Sequence, residues 1–285
     1  MKNIISWSGG KDSTATIILA KTNNILIDKI IMSEVMFDHL RNISNEDIDH
    51  MNWVKQVAKP QLEDWGYDVE IIKSKKDYVS IFNNVIGKKS KYNEGKIQGF
   101  PLGGRCALNS RCKVAPIDAY IKTITSKEAI TQYIGIGIDE PVRLKKLHKN
   151  NKEDKQKISL LEKYNYTTLM AYDLCKEYNL LSPIYKKGRN TRSGCWNCPN
   201  CSIETFATLK TEHPELWREL EMLSKTDNII SKGFKWGETF KEVNEKVDNK
   251  ITQRYWQSKQ ITMEELLEKT NNNSVNNTNI STNSV

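Results

Sequence analysis

Lys2-Asn3-Ile4-Ile5-Ser6-Trp7-Ser8-Gly9-Gly10-Lys11-Asp12-Ser13-Thr14-Ala15 is the stretch whose reading decides the fold. Ile4, Ile5 and Trp7 make a short apolar run, as in a buried strand. It stops at a glycine pair, and the residues after Lys11 take helical spacing, with Ala15, Ile18 and Leu19 on one face. A turn of this kind suits an anion. Glycine lets the backbone N–H groups come close, and the helix that follows aims its N-terminal dipole at the same place. Ser8 and Ser13 offer hydroxyls, Lys11 a charge, and Asp12 a group that could orient the turn. The pattern with four residues between its glycines and a closing Gly-Lys-Ser/Thr is absent, so this is not a Walker loop.

Working outward, apolar runs at Ile30–Phe37, Tyr67–Ile72 and Ile130–Ile138 predict further strands. Helical patterns lie between them, at 45–65, 78–86 and 114–122. Strands alternating with helices predict a doubly wound, mostly parallel α/β sheet over residues 1–185. The predicted helices at 167–178 and 214–223 flank a cysteine-bearing loop, residues 188–201. Residues 186–270 are therefore expected to form the cysteine loop and a helical C-terminal extension. The Asn/Ser/Thr-rich 271–285 is expected to be disordered, and the lysine-rich 145–157 is expected to be a mobile basic loop.

The chain has 285 residues, with 43 Lys+Arg against 35 Asp+Glu and a net charge of +8. No apolar run approaches the ~18–20 residues that cross a bilayer, and no secretory segment opens the sequence. No membrane role and a cytoplasmic location are expected. In that setting the six cysteines read as thiols or metal ligands rather than disulfides. Cys195-x-x-Cys198, with Cys201 close behind, can bring thiolates to one metal, and Cys106 with Cys112 forms a second group. Cys106, Cys112, Cys195 and Cys198 make a Cys₄ set suited to a [4Fe–4S] cluster or, less well, to Zn, with Cys201 able to replace Cys112. Cys175, alone on a helix, reads as a buried apolar residue.

The hexapeptide Ser8–Ser13 resembles the pyrophosphate-binding loop (PP-loop) of the adenine nucleotide alpha-hydrolase-like superfamily. Glu34-Val35-Met36-Phe37-Asp38, Gly104-Arg105-Cys106, Arg111-Cys112-Lys113-Val114 with Pro116, Tyr133-Ile134-Gly135-Ile136-Gly137 with Asp139-Glu140-Pro141 and Arg143, and Gly194-Cys195-Trp196-Asn197-Cys198-Pro199 are similar to the phosphoadenosine phosphosulfate (PAPS) reductase-like family. The last of these blocks is similar to one in its phage-type branch. The likeness covers about residues 1–225 and holds in order as well as content.

The resemblance implies an adenine nucleotide, PAPS or ATP, held by Ser8, Gly9, Gly10, Lys11, Asp12, Ser13, Asp38 and Arg143. It further implies that Lys11, Asp12, Arg105 and Lys113 act in catalysis, with Arg111 beside the phosphate and sulfate. The implied activity is PAPS reductase-like oxidoreduction drawing on an external thiol electron donor. The alternative is ATP-dependent adenylation in sulfur transfer. The Glu-Cys-Gly tail motif of sulfonucleotide reductases is not found, since no cysteine follows Cys201. A rival reading is a nucleotide-sensing or nucleic-acid-binding protein with a structural Cys₄ site. The +8 charge keeps nucleic acid as a less favoured partner.

Overall fold

Five strands form one parallel sheet: β1 (Lys2–Trp7), β2 (Lys29–Glu34), β3 (Val69–Lys73), β4 (Ile130–Tyr133) and β5 (Lys155–Ile158), in the order β3-β2-β1-β4-β5. This computed structural model describes residues 1–278 except 89, 91, 102–105, 126–127, 150, 152–154, 187–193 and 232. Its side chains are described to residue 260 and at Met263.

Strand alternation sorts the side chains to two faces. Ile5, Trp7, Ile30, Met32 and Tyr133 pack with helix α1 (Lys11–Thr22), Leu160, Leu161, Ala171 and Cys175. Ile4, Ile31 and Ile130 face Ile117, Tyr120 and Ile121 of helix α2 (Ala115–Thr125) on the other side. Helices thus cover both faces of a parallel sheet, as the alternating pattern predicts. The chain runs outward from β1 to β2 and β3, then returns to build β4 and β5 on the other flank. The order reverses between β1 and β4, and a crevice at the carboxyl ends of strands at such a point is where α/β sheets take ligands.

The stretch 145–157, expected as a mobile loop, corrects to something more ordered. Pro141–Lys149 is helical, with Leu144 and Leu147 buried, and Lys155–Ile158 is the edge strand β5. The lysines misled because an edge strand can carry charge along its solvent side, a common protection against pairing with another chain.

A second apolar core lies outside the sheet. Val35, Phe37, Tyr78, Phe82, Phe100 and Trp196 pack with Phe206 of helix α4 (Ile203–Glu212), Trp217 of helix α5 (Pro214–Ser224), and Phe234 and Phe240. Helix α3 (Thr168–Glu177), by contrast, packs on α1. The final helix, α6 (Phe240–Thr278), continues into the Asn-rich stretch as far as Thr278. A helix already nucleated on a packed core extends at lower cost than one started afresh.

The tightest backbone approach in the sheet region is at Gly135, just beyond β4. A Cβ there would lie 2.4 Å from the Asp12 carbonyl carbon and 2.5 Å from the Ser13 nitrogen. Gly135→Ala must therefore push the first turn of α1 away from β4, and such overpacking costs about 1–3 kcal/mol. Gly87, whose Cβ would meet nothing within 4 Å, is the control. Urea unfolding should show the loss for Gly135→Ala and little change for Gly87→Ala.

Candidate nucleotide and thiol site

The glycine turn sits at the head of α1. Gly9 has φ +70°, a left-handed conformation that favours glycine, and its absent side chain faces protein. A Cβ at Gly9 would lie 2.6 Å from the His50 ring and 2.7 Å from Val54. Gly10 is extended, at φ −73° and ψ 156°, and as N-cap it has no side chain to bond the first-turn amides. The positive end of the helix dipole lies at this turn. The Lys11 N–H donates to the Tyr185 hydroxyl at 3.2 Å.

The serines knit the turn together. Ser8 N–H donates to Ser13 Oγ (3.2 Å), the two hydroxyls lie 3.1 Å apart, and Ser13 Oγ donates to the Gly10 carbonyl (3.0 Å). Lys11 Nζ lies 2.9 Å from Asp12 Oδ1. Burial raises the Asp12 carboxyl above the usual range, with Lys11 pulling it back and Glu140 adding to the rise. Glu140 pairs with Arg143, and both lie within electrostatic reach of Asp12. The structure thus places Arg143 within electrostatic reach of the turn formed by Ser8, Gly9, Gly10, Lys11, Asp12 and Ser13.

Asp38 is engaged elsewhere. It accepts from Arg41 Nε at 2.7 Å, and Arg41 makes two further bonds to Glu219 of α5, at 2.6 and 2.7 Å. Arg41 holds the Asp38 carboxyl below its ordinary range. Arg105 lies outside the described residues.

Behind Gly9 stands His50, a residue not selected from sequence. His50 is 1% exposed, with Nε2 3.0 Å from the Ser8 carbonyl and Nδ1 2.9 Å from Ser182 Oγ. Burial holds it below the ordinary histidine range. The neutral ring can donate from Nε2 to the carbonyl and accept at Nδ1 from the serine. The available sequence signal was its i, i+4 spacing from Val54, which also touches Gly9.

The next layer is a buried ion pair. Lys113 Nζ lies 2.9 Å from Glu46 Oε1, and Glu46 is 2% exposed. Burial opposes the Lys113 charge, yet the Glu46 carboxylate raises the ammonium well above its ordinary range. Lys113 thus stands with Glu46, within electrostatic reach of Cys195 and Cys106.

The cysteine loop is stitched on by main chain. Glu46 bridges Cys195 in antiparallel fashion, Asp47 N–H donates to the Gly194 carbonyl (3.1 Å), and Trp196 N–H donates to the Asn45 carbonyl (3.0 Å). Cys195, Cys106 and Cys198 all lie within electrostatic reach of the fully buried Tyr78, and Cys201 Sγ lies 3.9 Å from the Cys195 carbonyl. Cys112 has another engagement: its thiol donates to the Lys76 carbonyl at 3.2 Å. Cys175 is buried near the head of α1, donates to the Lys11 carbonyl, and has its thiol pushed up by burial to about 12. None of the six cysteines forms a disulfide, and among the described residues no three His, Cys, Asp or Glu side chains form a metal-holding group. No protein-family model matches the chain, and no curated protein matches it.

Neutral His50 makes a pH prediction. The unfolded chain takes up this proton near pH ~6.5, the folded one only at lower pH, so unfolding binds protons between the two values. The contribution is complete above the unfolded value and is lost as pH falls through it, by at most ~1.4 kcal/mol per unit. Urea unfolding at about pH 7.5 and 5.5 should show a steeper acid loss for wild type than for His50→Gln. Parallel losses would mean that His50 protonates equally in both states.

Proposed function

We propose that the protein is an enzyme that binds an adenine nucleotide, PAPS or ATP, at the glycine turn and acts in sulfonucleotide reduction or sulfur transfer. The observation that carries this reading is the glycine turn at the head of α1, shaped by Gly9 and Gly135, at the point where strand order reverses. A di- or triphosphate, or a sulfated phosphate, supplies what that position lacks: negative charge against helix amides, Lys11 and Arg143. Asp12 would hold Lys11 in place, and the His50–Ser8 contact would keep the turn in its anion-receiving form before the ligand arrives.

A [4Fe–4S] cluster or zinc would be held by Cys106, Cys195 and Cys198, which lie around Tyr78 and would have to draw together to ligate it. Cys201 is the better fourth, since Cys112 is engaged with Lys76. The Asn197 amide, between Cys195 and Cys198, is 1% exposed and has neither polar atom hydrogen-bonded among the described residues. A buried amide so placed calls for a polar partner in the loop. When bound, an iron–sulfur centre would supply electron transfer or sulfur handling, and zinc would supply a structural clamp. Lys113 would offset the thiolate charge in either case, and the Glu46–Cys195 pairing would hold the centre near the nucleotide crevice.

Two measurements test the proposal. Calorimetric titration with PAPS, adenylylsulfate and ATP should give binding to at least one of them. Lys11→Ala should lose about 1.5–3 kcal/mol, the worth of a charge-assisted contact. No heat with any of the three would overturn the nucleotide reading. Iron, sulfide and zinc analysis should show metal in wild type and in Cys112→Ser, but not in Cys195→Ser/Cys198→Ser. Equal metal in all three proteins would remove the thiol centre.

A further inference from the structure

On the outer side of β3, away from the glycine turn, a groove of about 730 Å³ runs between Ile72–Lys76 and one face of α2. Its floor is apolar: Ile72, Ala115, Pro116, Ala119 and the Tyr120 ring. Its rim carries Lys73, Lys75, Lys76 and Arg111, and no lining residue is acidic. Lys73 donates to the Asn42 amide oxygen at 3.0 Å. Lys75, Lys76 and Arg111 are exposed and have no ion-pair partner among the described residues.

The rim is built rather than loose. Ser74 Oγ and the Cys112 thiol both donate to the Lys76 carbonyl, and Ser33 Oγ donates to the Cys112 carbonyl at 2.7 Å. Cys112, 0% exposed, thus pins the turn that presents Lys75 and Lys76 to the segment that presents Arg111.

We propose that this groove binds a single-stranded polynucleotide, with phosphates against the lysines and Arg111 and a base laid on Pro116 and Tyr120. Four cations with no acid among the lining residues, beside an apolar floor, suit a charged backbone with attached bases better than an isolated anion. A duplex keeps its base faces stacked and out of reach, so the apolar floor selects the single strand. DNA and RNA share this chemistry. The groove lies two strands away from β1, so it stands or falls apart from the nucleotide turn.

Fluorescence anisotropy of the full chain with a labelled mixed-sequence strand of about 16 nucleotides, as DNA and as RNA, tests the idea. Wild type should bind at least one strand more tightly than the matching duplex. Lys75→Glu/Arg111→Glu should weaken binding about tenfold or more and lower the slope of log affinity against log salt by about 2. Ala119→Glu, which places a carboxylate on the floor without removing a cation, should weaken it as well. Lys145→Glu/Lys149→Glu, the same change in net charge on the exposed helix Pro141–Lys149, should bind as wild type does. Circular dichroism of each variant should match wild type. An equal loss in the Lys145/Lys149 variant, duplex bound as well as the strand, no binding at low salt, or displacement by equimolar ATP or inorganic phosphate would each overturn the proposal.

Discussion

A neutral imidazole joins three distant parts of the chain. His50 sits against Gly9, donates to the Ser8 carbonyl and accepts from Ser182. The turn, the helical stretch carrying His50 and the segment leading to the cysteine loop therefore meet at one ring. The left-handed Gly9 follows from that geometry, since any side chain there would enter the ring's space. A protonated ring would keep its bond to the carbonyl but lose the acceptor for Ser182. Its burial is what keeps it neutral and the junction intact, against the pull of the Glu46 and Asp47 carboxylates toward the charged ring.

From that junction the two chemical regions lie in series. On one side are the helix amides, Lys11, Asp12 and Arg143. On the other are Glu46, Lys113 and the thiols around Tyr78. The Glu46–Cys195 bridge makes a fixed main-chain link between segments about 150 residues apart in sequence. The apolar wall behind the thiols is supplied by the second core, through Phe37, Tyr78 and Trp196. The C-terminal helices thus do more than extend the sheet domain, because they enclose the cysteine loop.

The parts that sequence made legible are those with local signatures. β1, the glycine turn and α1 could be read because an apolar run, a glycine pair and helical spacing follow one another without interruption. Arg143 was singled out by the resemblance, and in the structure it pairs with Glu140, within electrostatic reach of Asp12. The edge strand β5 could not be read in the same way, because Lys155 and Lys157 satisfy a loop as well as a solvent-facing strand. His50 had only its helical spacing from Val54 as a local mark, since what makes it matter is a contact with Gly9, forty-one positions away. Asp38 shows the converse: the resemblance implied a nucleotide ligand, whereas Arg41, three residues on, pairs with it and reaches on to Glu219. Cys112 looked like one half of a ligand pair in sequence, and only its contact with Lys76 gives it a different task.

The central position of β1 has a consequence for how the molecule comes together. β1 is made first, yet one of its neighbours, β4, begins at residue 130, and the ring that backs its turn is anchored at residue 182. The sheet can start from the local pairing of β1 with β2. The glycine turn is complete only when Gly135 closes against α1 and Ser182 reaches His50, both contacts of long sequence separation. A chain emerging from the ribosome therefore carries the glycine motif long before the turn has its final shape. That shape arrives late, with the closing of the last long-range contacts.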